Sequence, residues 1–150
     1  MVSRKLLKTL MPLIVLLALS SYSFSQSSLP NGFMVIGHNT GIKQMSNKEV
    51  VQIFKGKYTN WSNNVQAIIV LPSSKNENAE IISKFIFNAS KDAMMKYWLS
   101  LVFQGRANPP VFLEKDDDIV EYVMSNSGAI AIVRSINNPQ VNKLTIKIVD

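Results

Sequence analysis

A polar turn, Ser73-Ser74-Lys75-Asn76-Glu77-Asn78, follows an apolar run of strand length, Ala67 to Leu71 closed by Pro72, and precedes the helical spacing Ile81, Ile82, Phe85, Ile86. Open α/β sheets place ligands in loops of this kind, between the end of a buried strand and the start of a helix. Free N–H groups and the helix dipole there favour an anion. Ser73, Ser74 and Asn76 are the donors the turn offers. Glu77 sets a negative charge beside them, and such turns also occur without a ligand, so the binding and the plain structural readings weigh evenly. Arg106, just past Gly105 at a helix end, carries a fixed fork of donors suited to an oxyanion. Taken alone it reads slightly better as a solvated charge complementing the helix C-terminus, and the balance shifts if it converges with the Ser73 turn.

Catalytic equipment is scarce. The chain has one histidine, His38, and no cysteine to pair with it as nucleophile, so no enzymatic activity is expected and no catalytic residue is assigned. His38, directly after a strand, reads as a satisfied hydrogen-bonding residue. Structural zinc wants four N or S ligands, which the chain does not supply. Asp116, Asp117 and Asp118 lack the glycine and terminal glutamate of a calcium loop and read as acids at a helix start, where the macrodipole favours them. No metal and no cofactor is expected. Tyr97 and Trp98 sit in a helical apolar stripe, where packing is the commoner fate of aromatic rings.

The elements that must position these residues alternate. Met34 to Ile36 is a short buried strand ended by Gly37. Ser46 and Glu49 form a capping box ahead of the stripe Val50, Val51, Ile53, Phe54, which Gly56 stops. The strand, turn and helix around Ser73 come next. A helix capped by Ser90 runs to Gly105, Pro109 and Pro110 stiffen a turn, and Val111 to Leu113 is a brief strand. A helix from the acidic triplet leads to Gly128 and the fully apolar strand Ala129 to Val133. Leu144, Ile146 and Ile148 alternate with Thr145 and Lys147, as an edge strand does. Strands alternating with helices predict a three-layer α/β domain.

Arg4, Lys5 and Lys8 followed by apolar Leu10 to Leu19 read as a secretory signal, with Ser23 and Ser25 marking cleavage before Gln26. The expected organisation is a signal peptide at 1–25, a flexible leader at 26–32 and one domain at 33–150. Removing the three basic residues of the signal lowers the whole-chain charge from +6 to +3. No basic run remains, which argues against nucleic acid as a partner. An exported chain without cysteine has neither a disulfide framework nor a lipoprotein thiol, so a periplasmic protein that is not a lipoprotein is expected.

Several of these blocks together carry a resemblance. Lys48 to Trp61, with Ile53-Phe54-x-Gly56 and Thr59-Asn60-Trp61, the strand and turn at Ile68 to Asn76, and Gly128 to Val133 are similar to phosphate-type substrate-binding proteins of ABC transporters, in the type II periplasmic binding protein superfamily. The block Tyr97-Trp98, Leu101-Val102-Phe103, Gly105-Arg106 and Pro109-Pro110 resembles a small, single-lobe branch of that family. The resemblance spans about Phe33 to Val133 and implies one α/β/α lobe that binds phosphate or a related oxyanion for ABC transport or sensing, served by a permease or another envelope protein. Where the full-length family has a glycine-containing phosphate cradle, this chain has Ser73-Ser74-Lys75-Asn76-Glu77, so Ser73, Ser74 and Asn76 carry over as donors, with Arg106 as the added cation. Full-length members close two lobes over the ligand, whereas this chain has material for one, which a homodimer could complete. The alternative expectation is an envelope protein-interaction module that keeps the scaffold without solute binding.

Overall fold

The computed structural model describes residues 28–150, and the expected signal peptide and its cleavage point lie outside the described residues. The reciprocal cap is present. The Glu49 carboxylate accepts from Ser46 N at 2.8 Å, and Ser46 Oγ accepts from Glu49 N at 3.3 Å, which starts helix α1, Asn47–Phe54, with Val50, Ile53 and Phe54 buried. Gly56 ends it at φ +78, and a Cβ there would lie 2.9 Å from the Trp98 ring. Glycine is thus required twice, by backbone conformation and by the indole packed over it.

Among the described residues six strands form one sheet in the order β2, β6, β1, β5, β3, β4. They are β1 Phe33–Gly37, β2 Gln44–Met45, β3 Ile68–Pro72, β4 Val111–Leu113, β5 Ala129–Arg134 and β6 Thr145–Ile148. Only β1 runs against the rest, pairing antiparallel with β5 and β6, while β3 is parallel to both β4 and β5. The alternation at Leu144 to Ile148 does not mark an edge. The two-residue β2 pairs with Lys147 and Ile148 and takes that place. The alternating pattern reflects one buried face, since Ile146 is buried while Thr145 and Lys147 are exposed.

Helices α2, Ala79–Phe87, and α3, Lys91–Phe103, follow β3. Helix α4, Asp116–Ser125, precedes β5, and the short α5, Pro139–Asn142, precedes β6. Because successive strand residues point to opposite faces, the apolar runs divide. Val35, Ile69, Leu71, Ile130 and Ile132 join Phe54, Ile82, Met94 and Trp98 beneath α1, α2 and α3. Ile36, Val70, Ala129, Ala131 and Val133 join Ile119, Val120, Val123 and Val141 on the side of α4 and α5. Burial on both faces is why the central strands read as unbroken apolar runs, and the result is the expected three-layer α/β/α lobe.

Trp61 is scaffold. Its indole N–H donates to the Gly128 carbonyl at 2.8 Å within the buried core. Gly128 has φ +88, and a Cβ there would fall 2.1 Å from the Gln66 carbonyl oxygen, so this glycine lets the segment after Trp61 press against the start of β5.

Candidate functional site

The turn after β3 begins as an extension of the parallel ladder, with Ser73 N donating to Leu113 O at 2.8 Å. Ser73 then organises the turn. Its carbonyl accepts from Asn76 N at 3.0 Å, and its hydroxyl oxygen from Lys75 N at 3.3 Å. Asn76 Oδ1 accepts from Asn78 N at 2.7 Å, an Asx turn that leads into α2. Ser74 sits between them, its carbonyl accepting from Lys91 Nζ at 2.6 Å.

Behind the turn lies a polar cluster built from four segments. Asp116, in the first turn of α4, accepts from Asn76 Nδ2 and Asn78 Nδ2, each at 3.0 Å, and from Arg134 N at 3.2 Å. Arg134 Nε donates to Asn78 Oδ1 at 3.1 Å, and the guanidinium carbon stands 5.3 Å from the centre of the Phe33 ring. Asn76 and Asn78 are 4% and 2% exposed, so their amides depend on Asp116 for a partner. The terminal Nη groups of Arg134 and the Ser74 hydroxyl have no partner among the described residues. On the rim, Lys75 pairs with Glu114 at 2.9 Å, and that hydrogen bond, then the carboxylate charge, raises the Lys75 pKa. Charges of both signs are interleaved here, so the turn offers directed donors rather than a net positive field.

Ser73, Ser74 and Asn76 are therefore together, at the carboxyl ends of β3, β4 and β5. Arg106 is not with them. Lys91, at the first turn of α3, reaches Ser74, whereas Arg106 follows the last turn of the same 13-residue helix, which spans about 20 Å. Arg106 instead lines a cleft of about 230 Å³ with Gln52, Lys55, Gly56, Lys57, Tyr97 and Leu101. None of the four expected residues lines the larger cavity, of about 680 Å³, between Gly41–Met45, Glu49 and Ile53 of α1, Tyr58, and Asn60–Ser62. His38 is satisfied structurally, with Nδ1 3.2 Å from Val123 O.

Three residues of the cluster escaped the sequence reading. Arg134 was detectable, because it directly follows the apolar run Ala129 to Val133 and so stands at a strand's carboxyl end as Ser73 does. Asn78 and Asp116 carried no such signal. Asp116 had a sufficient explanation as a helix-start acid, and its partners lie 40 and 38 residues away.

A family model described as a PBP superfamily domain matches residues 29–148. No curated protein sequence matches the chain. Solved structures with a similar fold include a protein from Clostridium perfringens assigned as a phosphate ABC transporter substrate-binding protein, with bound phosphate. It is 17% identical with a TM-score of 0.53, covering 78% of this chain and 44% of that one. A protein from Planctomyces limnophilus assigned as phosphate-binding has a TM-score of 0.56 at 13% identity, covering 79% and 42%. An ABC-type phosphate transport receptor from Vibrio cholerae also aligns, at 13% identity and a TM-score of 0.49, over 78% of this chain and 46% of that one. The chain thus spans less than half the length of these structures. With residues 29–148 inside the family match and the α/β/α lobe in place, this chain belongs to the PBP superfamily, the periplasmic-binding-protein group that its motifs resemble.

Proposed function

We propose that this lobe is a periplasmic, non-enzymatic solute-binding module that takes phosphate or a related oxyanion at the carboxyl ends of β3, β4 and β5. The observation that carries the reading is the meeting of the Ser73 turn with the open fork of Arg134, in a fold shared with proteins assigned to phosphate binding. The hydroxyls of Ser73 and Ser74 and the Nη groups of Arg134 supply the direct donors. Asn76 shapes the turn, its amide already given to Asp116. Arg106 takes no part in this site. Delivery to an ABC permease or a sensing partner belongs to the same reading, as does a homodimer supplying the second wall that one lobe lacks.

The test is a thermal-shift series with phosphate and sulfate against chloride at matched ionic strength. A ligand that binds only the folded protein raises its midpoint as concentration passes Kd, so phosphate should raise it, and the Ser73→Ala/Ser74→Ala and Arg134→Gln variants should each show a clearly smaller shift. If neither oxyanion moves the wild-type midpoint, or if the shift is undiminished in both variants, oxyanion binding at this turn is wrong.

A further inference from the structure

The segment Lys55-Gly56-Lys57 takes no part in the proposed site, yet it lies with Arg106 around the 230 Å³ cleft between the last turns of α1 and α3. Two glycines make that meeting possible. Gly56 at φ +78 and Gly105 at φ +66 turn the chain in the left-handed region at each helix end.

The ordinary reason for cations at such places is capping of helix-end carbonyls, and here that work is already done. At the end of α1, Val51 O accepts from Lys55 N, Gln52 O from Lys57 N and Ile53 O from Gly56 N, while Lys55 O accepts from the Tyr97 hydroxyl at 2.9 Å. At the end of α3, Ser100, Leu101 and Val102 carbonyls accept from Gln104, Arg106 and Gly105 N–H groups. The side-chain cations are directed elsewhere. Lys57 Nζ donates to Gln52 Oε1 at 2.8 Å, Lys55 Nζ stands 5.9 Å from the centre of the Phe87 ring, and Arg106 Nη1 makes one long contact, 3.4 Å, to Gln104 Oε1.

Charge arithmetic excludes the dipole as a sufficient partner. Two helix C-termini amount to about one negative charge together, against three cations. Among the described residues no carboxylate lines the cleft, and the ion pairs among them, Lys75 with Glu114 and Lys84 with Glu80, leave all three cations unpaired. Glu49, which Lys57 influences at a distance, is committed to the capping box at the opposite end of α1. The surplus is about two positive charges around an open concavity with ample room for a small anion. We infer that this cleft is a second anion site, separate from the Ser73 turn, which takes a phosphate-type dianion through Lys55, Lys57 and Arg106, with Tyr97 and Gln52 holding the first two in place.

The inference does not rest on the proposed function, and the two can fail independently. The probe is inorganic phosphate, titrated into the protein and followed by ¹H–¹⁵N NMR at low salt, with chloride at matched ionic strength as the control. Amides of residues 55–57 and of Leu101 and Arg106 should shift saturably. Neutralising one exposed cation, as in Arg106→Gln or Lys57→Gln, should weaken the midpoint by about two- to fivefold, and the Lys55→Gln/Lys57→Gln/Arg106→Gln variant should lose saturation. The Ser73→Ala/Ser74→Ala variant should leave these shifts unchanged, even where the turn itself no longer responds. All three residues are exposed, so the variants are expected to fold, and the single Arg106→Gln change suffices if the triple does not. The inference is overturned if phosphate shifts nothing at the cleft, if chloride reproduces the shifts, if the triple variant still saturates, or if an acidic peptide binds there and phosphate does not.

Discussion

Asp116 is the residue whose removal should reveal most about how the carboxyl edge is built. Its carboxylate serves three donors: Asn76 Nδ2, Asn78 Nδ2 and Arg134 N. In Asp116→Ala the two asparagine amides, 4% and 2% exposed, are left without an acceptor, and each buried unsatisfied donor costs about 1–3 kcal/mol. The Arg134 N–H, at an exposed residue, can turn to water and adds little. The expected loss is therefore about 2–6 kcal/mol. A domain of this size loses about 4 °C of midpoint per kcal/mol. Asp116→Asn keeps the shape and one acceptor oxygen but points its own amide at a second amide, so about half the loss should remain. Urea unfolding followed by tryptophan fluorescence measures both, with an unchanged m-value showing that the loss is one of native-state stability. A double-mutant cycle with Asn78→Ala then separates the pair from its surroundings. A loss under about 0.5 kcal/mol for Asp116→Ala would refute the argument, since the buried amides would then have found other partners.

Gly128→Ala should cost about 3 kcal/mol or more, because its Cβ would lie 2.1 Å from the Gln66 carbonyl at φ +88, whereas Gly32→Ala, at φ +80 with nothing within 4 Å, should cost only the backbone strain, about 1 kcal/mol; equal losses in denaturation would show that contact is not the cause. Glu49 is held below its ordinary value of 4.5, first by the Ser46 backbone N–H and then by the Ser46 hydroxyl. A lowered carboxylate stabilises fully above the unfolded value and loses that contribution as pH falls through the folded one. The stability gap between wild type and Glu49→Gln should thus be constant above about pH 5.5 and shrink towards pH 3, and a gap that does not change with pH would sink the idea.

Much of the fold was legible because it is written locally. Ser46 with Glu49, Ser90, and the glycines at 56 and 105 fix helix ends within a few residues. The unbroken run Ala129 to Val133 declares burial on both faces. What local pattern does not hold is where a strand goes in the sheet. The alternation at Thr145 to Ile148 correctly signalled one exposed face, but a two-residue ladder at Gln44 and Met45 suffices to displace it from the edge. The candidate site divided in the same way. Ser73, Ser74 and Asn76 follow one another and had to be neighbours, whereas Arg106 was placed by its glycine alone, and a turn signal says nothing about which end of the sheet a helix ends at. Arg134 meets Asn78 across 56 residues, a closeness that only the parallel pairing of β3 with β5 creates.

The proposed site at this one edge also bounds how tightly an oxyanion would be held there. At an open carboxyl edge, two serine hydroxyls and the free fork of Arg134 offer about four hydrogen bonds that exchange with water, each worth about 1 kcal/mol net. Their sum, about 4 kcal/mol, corresponds to a Kd near 1 mM. At about 10 mM phosphate this gives a stabilisation of about 1.4 kcal/mol, or a midpoint rise of about 6 °C, well within the reach of a thermal shift. The Asp116 carboxylate opposes an anion beside it and occupies two amides, so Asp116→Asn should tighten phosphate binding at the turn even as it destabilises the fold. A wild-type Kd in the micromolar range would contradict the one-wall arithmetic and require a second wall. If that wall is another copy of this chain, the apparent affinity must rise with protein concentration, and sedimentation in the presence of phosphate must show the dimer. Micromolar affinity in a protein that stays monomeric would mean that the donors counted at this edge are not those that hold the ligand.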